Sequence, residues 1–132
     1  MPDAVVPVLV VDDQAPFRLA ARSVLRRAVG FELVGEATTG EEAVDCVAEL
    51  APAMVLMDIK MPGIDGIEAT RRIVAAHPGV VVFLCSTYAL ADLPAEAATS
   101  GARGYVNKEE LSPAVIASLW DGRHGGFTAL AS

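Results

Sequence analysis

The sequence has few cysteines, few cations and no long apolar run. Its two cysteines, Cys46 and Cys85, are too few for a disulfide scaffold and lie in apolar segments, so we expect buried free thiols in a reducing compartment. No apolar stretch approaches the roughly 20 residues that a membrane-spanning helix needs. The N-terminal MPDAVVP also lacks the basic flank of a signal peptide. These absences predict a cytoplasmic protein with no membrane contact.

The shortage of cations leaves the chain acidic. Lys and Arg together number 10 against 17 Asp and Glu, which gives a formal charge of -7 over 132 residues. A surface of that sign repels phosphate backbones, so direct contact with nucleic acid is not expected, whereas metal ions are attracted. With 53% hydrophobic residues, a chain of this length predicts one compact domain with a well-filled core.

Apolar runs rich in β-branched residues alternate with longer amphipathic segments along the chain. This alternation is typical of βα units around a parallel sheet that is buried on both faces. Five units are predicted, with strands at residues 8 to 11, 31 to 37, 53 to 58, 80 to 86 and 102 to 107. Helices are predicted between and after them, at residues 15 to 29, 40 to 50 and 65 to 77, and from Pro113 onward with Ser112 as its cap.

Two stretches depart from this regular pattern. Proline costs about 3 kcal/mol inside a helix, and only a short run of mostly Ala, Thr and Ser separates Pro94 from Gly101. A short, weakly anchored fourth helix that begins or breaks near Pro94 is therefore predicted. The end of the chain, DGRHGGFTALAS, loses the helical period, so residues 125 to 132 are predicted to begin an interdomain linker or a C-terminal tail.

Acidic residues follow two of the predicted strands. Asp12 and Asp13 end the first strand, and Asp58 ends the third. Because parallel strands with right-handed crossovers all end along one edge of a sheet, three carboxylates meet in one crevice if these strands are neighbours. At separations of ~4 to 5 Å each pair repels by about 1 to 4 kcal/mol, and a hard divalent cation such as Mg²⁺ offsets that repulsion.

Two further side chains end predicted strands on the same edge. Ser86 brings a hydroxyl at the end of the fourth strand, and Lys108 brings an ammonium group after the fifth. Together with the acids they could hold a metal and a phosphoryl group, with one carboxylate as the nucleophile. Each residue also has an ordinary interpretation, as a helix cap, a loop hydroxyl or a solvated lysine. Their occurrence together at four strand ends favours the phosphoryl-transfer site.

Four motifs, in this order and with this spacing, resemble the receiver domain of two-component response regulators: VLVVDDQAPFR, VLMDIKMPGIDGIEATRRI, VFLCST and GARGYVNKEEL. The resemblance covers residues 5 to 124 and is greatest to receivers whose output is a helix-turn-helix DNA-binding domain. It implies an α/β fold, a flavodoxin-like (βα)5 three-layer sandwich with a parallel five-stranded sheet of order 2-1-3-4-5. It also implies that residues 1 to 124 form the receiver domain.

The resemblance implies a role for each acid of the crevice. Asp58 is the implied phosphoacceptor. Mg²⁺ would be held by Asp13, Asp58 and the backbone carbonyl of Lys60, and Asp12 would act as a ligand mainly through water.

The resemblance also implies roles for three residues on the last two strands. Ser86 would contact a phosphoryl oxygen, and Lys108 would pair with the phosphoryl group. Tyr105 matches the aromatic switch residue, which would swing into the space that Ser86 and its loop vacate; the other interpretation is an ordinary half-buried strand tyrosine. Glu109 stands where the family usually has a proline after the lysine, so no cis proline linkage is expected there.

The implied function is a phosphorylation-activated signalling switch of a two-component system. A sensor histidine kinase would be the phosphodonor, and the output would be transcription through a DNA-binding domain absent from this chain. The chain would not be an enzyme beyond assisting its own Mg²⁺-dependent phosphorylation and dephosphorylation, and a homodimer on phosphorylation is a further expectation. Two alternatives stay open. One is a receiver-like interaction module that is never phosphorylated; the other is a flavodoxin-like FMN carrier, whose phosphate the acids after the first strand would repel.

Overall fold

The structure is a computed structural model that describes residues 5–130. Strands and helices alternate through this range. The strands are β1 (Val6–Val11), β2 (Phe31–Ala37), β3 (Met54–Asp58), β4 (Val81–Ser86), β5 (Gly104–Asn107) and β6 (Thr128–Leu130). The α-helices within the described range are α1 (Ala15–Arg27), α2 (Gly40–Leu50), α3 (Gly66–Ala76) and α4 (Pro113–Asp121).

All strands are parallel and form one sheet of order β2-β1-β3-β4-β5-β6. The first five strands therefore confirm the predicted order 2-1-3-4-5. Strands β3 and β4 are central and almost fully buried, because their runs of apolar residues face helices on both sides. Strand β2 is an edge strand with most residues partly exposed, as its alternating sequence predicts.

A sixth strand was not expected from the sequence. Strand β6 pairs with β5 and lies inside the stretch predicted to begin a linker or tail. The boundary of the domain after residue 124 and the linker character of residues 125 to 132 stay predictions. Residues 131 and 132 lie outside the described range.

The helices cover both faces of the sheet and make three layers. On one face, α2 and α3 pack against the strands through a core that contains Ala43, Val47, Ile67, Ala69 and Ile73. On the other face, α1 and α4 do the same through Ala21, Val24, Leu25, Ile116 and Leu119. No helix in residues 5–130 is long and apolar enough to cross a membrane.

The segment between β4 and β5 confirms a short fourth helix that begins near Pro94, and adds that it is of the 3-10 type. The segment has two 3-10 turns, Leu90–Asp92 and Ala95–Thr99. The backbone of Pro94 is extended, with ψ of 139°, so Pro94 separates the two 3-10 turns. The proline supplies no backbone N–H and disfavours helical geometry in the residue before it, so a continuous helix does not form.

The two cysteines are free, as predicted, but their burial differs. Cys85 on β4 is buried, whereas Cys46 on α2 is only half-buried. The prediction of two buried thiols is therefore wrong for Cys46, because the α2 position it occupies lies at the border of the packed face.

Candidate functional site

The predicted acids meet at the carboxyl edge of the sheet. Val11 of β1 pairs with Met57 of β3, so the residues that follow them, Asp12 and Asp58, leave adjacent strand ends side by side. Carboxylate oxygens of Asp12, Asp13 and Asp58 all lie within 4.8 Å of one another. Asp12 and Asp58 are buried, and Asp13 is exposed at the mouth of the crevice. The structure thus brings together the three acids that sequence reasoning placed in one site.

Lys108 reaches into this cluster from the end of β5. Its Nζ lies 2.5 Å from Oδ2 of Asp12 and 3.2 Å from Oδ1 of Asp58. The ammonium group also lies 4.8 Å from the centroid of the Phe17 ring on α1, within the range of a cation–π contact. Burial opposes the charge on Lys108, but hydrogen bonding and attraction from Asp12 and Asp58 outweigh it and leave the lysine pKa above its ordinary value. Lys108 therefore stays protonated and supplies a positive charge to the site.

Asp58 sits in a less favourable electrostatic position. Burial and the neighbouring charge of Asp12 raise its pKa to about 6, while Lys108 and the backbone N–H of Ile59 pull that pKa down. At neutral pH the group is then mostly ionised, with few partners to neutralise it. An ionised, poorly neutralised carboxylate at the bottom of a crevice is suited to act as a nucleophile or a metal ligand.

Asp12 has different partners at its two carboxylate oxygens. Its Oδ1 accepts a hydrogen bond from the backbone N–H of Gln14 at 2.8 Å. Its Oδ2 is buried and, among the described residues, accepts no hydrogen bond of regular geometry, although Lys108 forms an ion pair with it. Three carboxylates with one ammonium group leave a net negative charge. This excess of carboxylate oxygens over cations fits a hard divalent cation such as Mg²⁺.

A solvent-open cavity of about 290 Å³ lies above these groups. Its lining comprises Gln14, Asp58, Lys60, Ser86, Thr87, Tyr88 and Lys108. Four of these are residues that the sequence analysis assigned to the site. The other three, Gln14, Thr87 and Tyr88, were not among the assigned residues, although each lies within two positions of an assigned strand-end residue and that adjacency was the available signal. The cavity is large enough for a phosphoryl group to reach the carboxylate of Asp58.

Ser86 and Tyr105 are joined by hydrogen bonds beside the cavity. The Tyr105 ring is buried and points inward, with its Oη 2.9 Å from Oγ of Ser86 and 2.6 Å from the carbonyl oxygen of Tyr88. The backbone N–H of Tyr88 donates to Oγ of Ser86 at 3.1 Å. The consistent arrangement has Tyr105 donating to the Tyr88 carbonyl and Ser86 donating to Tyr105. Tyr105 is thus fully buried and not half-buried, and its role as a switch residue stays a prediction.

The start of α3, after the loop that follows Asp58, requires a glycine. The backbone N–H of Gly66 donates to the Ile59 carbonyl at 2.7 Å, which draws the start of α3 against the end of β3. A Cβ atom at Gly66 would lie 1.8 Å from the carbonyl oxygen of Asp58. Glu41 of α2 supports the same loop by accepting a hydrogen bond from the N–H of Ile64 at 3.2 Å. Sequence reasoning did not identify Gly66 or Glu41, because both act through a close approach of separate elements.

No cis peptide bond occurs among the described residues, in agreement with the expectation at Glu109. The turn that follows β5 is instead shaped by Asn107, whose Oδ1 accepts a hydrogen bond from the N–H of Glu109 at 2.9 Å. This contact opens a 3-10 turn over Lys108–Glu110 and sets the direction in which Lys108 leaves the strand.

Comparison with curated proteins finds relatives that are response regulators. The chain is 41% identical to the response regulator GacA of Pseudomonas viridiflava over 101 residues, which cover 76% of this chain and 47% of GacA. It is 38% identical to the response regulator UvrY of Escherichia coli K12 over 112 residues, 85% of this chain and 51% of UvrY. The chemotaxis protein CheY of Thermotoga maritima is 37% identical over 85% of this chain and 92% of its own length. The chain thus spans about half the length of GacA and UvrY.

Solved structures agree with this relationship. A LuxR-family two-component response regulator from Aurantimonas sp. SI85-9A1 superposes with a TM-score of 0.82 at 28% identity, covering 95% of this chain and 89% of that one. The signal receiver domain of NarL from Mycobacterium tuberculosis gives 0.80 at 28% identity, covering 93% and 99%. The family model described as the response regulator receiver domain matches residues 8–119, the range that carries the whole acidic crevice and Lys108. The chain belongs to the response regulator receiver domain family, a signalling module of two-component systems.

Proposed function

We propose that the chain is a phosphorylation-activated switch that accepts a phosphoryl group on Asp58 from the phosphohistidine of a sensor histidine kinase. The observation that carries this proposal is the geometry around Asp58. Its carboxylate ends β3 at the floor of the cavity, with oxygens of Asp12 and Asp13 within 4.8 Å and Nζ of Lys108 at 3.2 Å. Membership of the family implies a cognate kinase, and its identity lies outside this chain.

In the transfer step an Oδ atom of Asp58 attacks phosphorus while the bond between phosphorus and the donor imidazole nitrogen breaks. The electron pair of that bond leaves with the imidazole, and the product is an acyl phosphate. Lys108, held between Asp12 and Asp58, is placed to turn toward the incoming phosphoryl oxygens and stabilise their charge. Gln14 and Thr87 also line the cavity and would contact the approaching donor.

The donor set for a metal consists of Asp13, Asp58 and the backbone carbonyl of Lys60, with Asp12 acting through water. Its oxygen-only chemistry and its net negative charge suit Mg²⁺. When bound, the ion would neutralise charge on the transferring phosphoryl group. With the same residues the chain would assist both its own phosphorylation and its own dephosphorylation.

Phosphorylation is proposed to act on the hydrogen bonds of Ser86. A phosphoryl oxygen on Asp58 offers the Ser86 hydroxyl an ionised acceptor in place of the Tyr105 Oη. Ser86 would then turn toward the cavity, and Tyr105 would keep its bond to the Tyr88 carbonyl at 2.6 Å. The change is a shift between two arrangements, and its size depends on how differently they bind the phosphoryl group.

The output of the switch is proposed to lie outside these residues. GacA and UvrY are about twice as long as the matched region. We propose that residues 1 to 124 are the receiver unit, that the stretch after it leads to an output domain that controls transcription, and that two phosphorylated copies associate. This chain itself, with its charge of -7, would make no direct contact with nucleic acid.

Intact-mass measurement tests the proposal. After incubation with Mg²⁺ and acetyl phosphate, the chain is expected to gain the mass of one phosphoryl group, and Asp58→Asn is expected to gain none. Asp65→Asn is the matched control, because Asp65 is exposed, lies seven positions further along the same loop, and only caps α3. A wild-type chain that gains no mass, or an Asp58→Asn chain that still does, would contradict the proposal. The first outcome would favour an interaction module that is not phosphorylated.

A further inference from the structure

Asn107, the last residue of β5, has both ends of its side-chain amide in use. Its Oδ1 accepts a hydrogen bond from the N–H of Glu109 at 2.9 Å. Its Nδ2 donates to the carbonyl oxygen of Tyr88 at 3.2 Å. The first contact lies in the turn after β5 and the second in the loop after β4. A single half-buried side chain therefore connects two loops that come from neighbouring strands.

Each of these loops carries part of the proposed switch. The turn after β5 carries Lys108, whose Nζ contacts Asp12 and Asp58. The loop after β4 carries the Tyr88 carbonyl, whose oxygen also accepts a hydrogen bond from the Tyr105 hydroxyl at 2.6 Å. Asn107 and Tyr105 thus share one acceptor, and the acceptor lies two residues beyond Ser86.

The loop after β4 has little else to hold it. The segment from residue 87 to 101 contains two short 3-10 turns and no α-helix, and among its residues with a described side chain only Ala97 and Ser100 are buried, while Tyr88 and Leu93 pack partly exposed against the core. Its backbone near the cavity is therefore positioned by the bonds at Ser86, Tyr105 and Asn107. A side chain that ties this weak segment to the Lys108 turn couples the positions of the two.

We propose that Asn107 is a positioning residue that couples the Lys108 turn to the Tyr88 carbonyl and hence to Tyr105. When Lys108 turns toward a phosphoryl group, the backbone of its turn moves, and Asn107 passes that movement to the loop after β4. The expected effect of Asn107 on the phosphorylated chain rests on the proposed function, whereas its expected effect on the unphosphorylated chain does not. The amide is chemically specific here, because an aspartate keeps the acceptor for Glu109 and loses the donor to Tyr88.

The tyrosines provide a direct readout, because the chain has two, Tyr88 and Tyr105. The protein is labelled with ¹³C at the tyrosine rings, and both ring signals are followed by NMR with and without Mg²⁺ and acetyl phosphate. Asn107→Asp and Asn107→Ser are compared with wild type and with Ser112→Ala. Ser112 is the matched control, since it caps α4 in the same way by accepting from the N–H of Val115 at 3.1 Å and makes no bond to Tyr88.

Both Asn107 variants are expected to displace the two tyrosine signals before any phosphorylation. The Tyr88 N–H donates to Oγ of Ser86 and keeps that partner, but the loop around it loses the bond from Asn107. Hydrogen exchange at the Tyr88 amide should therefore also rise by about fivefold, the effect of destabilising the loop by one ordinary hydrogen bond, while exchange in α3 is unchanged. On phosphorylation the tyrosine signals of these variants should move less than those of wild type, at equal phosphoryl mass gain. Ser112→Ala should behave as wild type in every arm.

The inference is overturned if folded Asn107→Asp and Asn107→Ser keep the wild-type tyrosine signals and exchange rates, or if Ser112→Ala shifts them equally. Should one Asn107 variant fail to fold, the other decides. A wild-type chain that takes up no phosphoryl group would refute the proposed function alone, because the comparison of unphosphorylated proteins would still decide the role of Asn107.

Discussion

At the scale of single residues, Asp58 is held where its charge is costly. Burial at the end of β3 and the neighbouring Asp12 both disfavour the ionised carboxylate, and Lys108 relieves only part of that cost. The carboxylate therefore gains free energy from any further positive charge that enters the crevice. The same carboxylate would thus favour both the proposed metal binding and the proposed phosphoryl transfer.

The raised pKa of Asp58 predicts a pH-dependent gain for Asp58→Asn. The pKa of Asp58 is about 6 in the folded chain and 3.8 in the unfolded chain, so the fold favours the protonated acid. Its contribution to the free energy of unfolding is fully present below pH 3.8 and is lost as the pH rises through about 6. In metal-free buffer at pH 7.5, Asp58→Asn should unfold with a free energy about 2 to 3 kcal/mol higher than wild type. At pH 3.5 the difference should vanish. Urea unfolding at the two pH values checks this, and an equal gain at both would contradict it.

The carboxylate cluster also predicts how Mg²⁺ changes stability. An ion present at about ten times its dissociation constant should raise the free energy of unfolding of wild type by about 1.4 kcal/mol. Asp13→Asn should lose most of this gain and still fold, because Asp13 is exposed and its removal leaves the core intact. Thermal unfolding with EDTA and with Mg²⁺ makes the comparison. If Mg²⁺ stabilised Asp13→Asn against unfolding as much as wild type, the ion would bind elsewhere.

At the scale of elements, the join between β3 and α3 fixes the site. The N–H of Gly66 bonds to the Ile59 carbonyl, and the helix begins so close to the strand that only a glycine fits. The N-cap Asp65 then accepts a hydrogen bond from the N–H of Glu68 at 2.8 Å. The path of the loop that carries Lys60 follows from these contacts.

Gly66→Ala should therefore destabilise the fold and disturb Asp58 together. The added Cβ would lie 1.8 Å from the Asp58 carbonyl oxygen, so the helix start must move, at a cost of about 3 kcal/mol or more. Gly79→Ala is the control, because nothing lies within 4 Å of its added Cβ and it should be neutral or slightly stabilising. Urea unfolding measures both variants. Equal effects would show that the close approach at Gly66 has no energetic weight.

The sequence predicted the elements where a repeating pattern exists. Alternating apolar runs give β1 to β5, and the rule that parallel strands end along one edge places Asp12, Asp58 and Lys108 together. Between β4 and β5, few apolar residues and Pro94 predicted a short helix but not its 3-10 type, and β6 is too short for any period. Asn107 was missed for another reason, because its contacts depend on how two loops face each other.

At the scale of the whole molecule, charge is unevenly distributed. The chain carries -7 overall, yet four of its 10 cations lie in α1 at Arg18, Arg22, Arg26 and Arg27, a helix without acids. Arg18 and Arg22 both pair with Glu36 of the edge strand β2, which ties α1 to the sheet beside the acidic crevice. The surface around the crevice mouth thus carries both signs, while the crevice itself stays negative.

The central claim is that Asp58 accepts a phosphoryl group with the help of a metal held by its acidic neighbours. The most direct test is chemical mapping of the whole chain after treatment with acetyl phosphate. Borohydride reduces an aspartyl phosphate to homoserine, and tandem mass spectrometry then locates the altered residue. The account predicts homoserine at position 58 alone, abundant with Mg²⁺ and nearly absent with EDTA. Homoserine at another aspartate, or an equal yield at position 58 without metal, would contradict it.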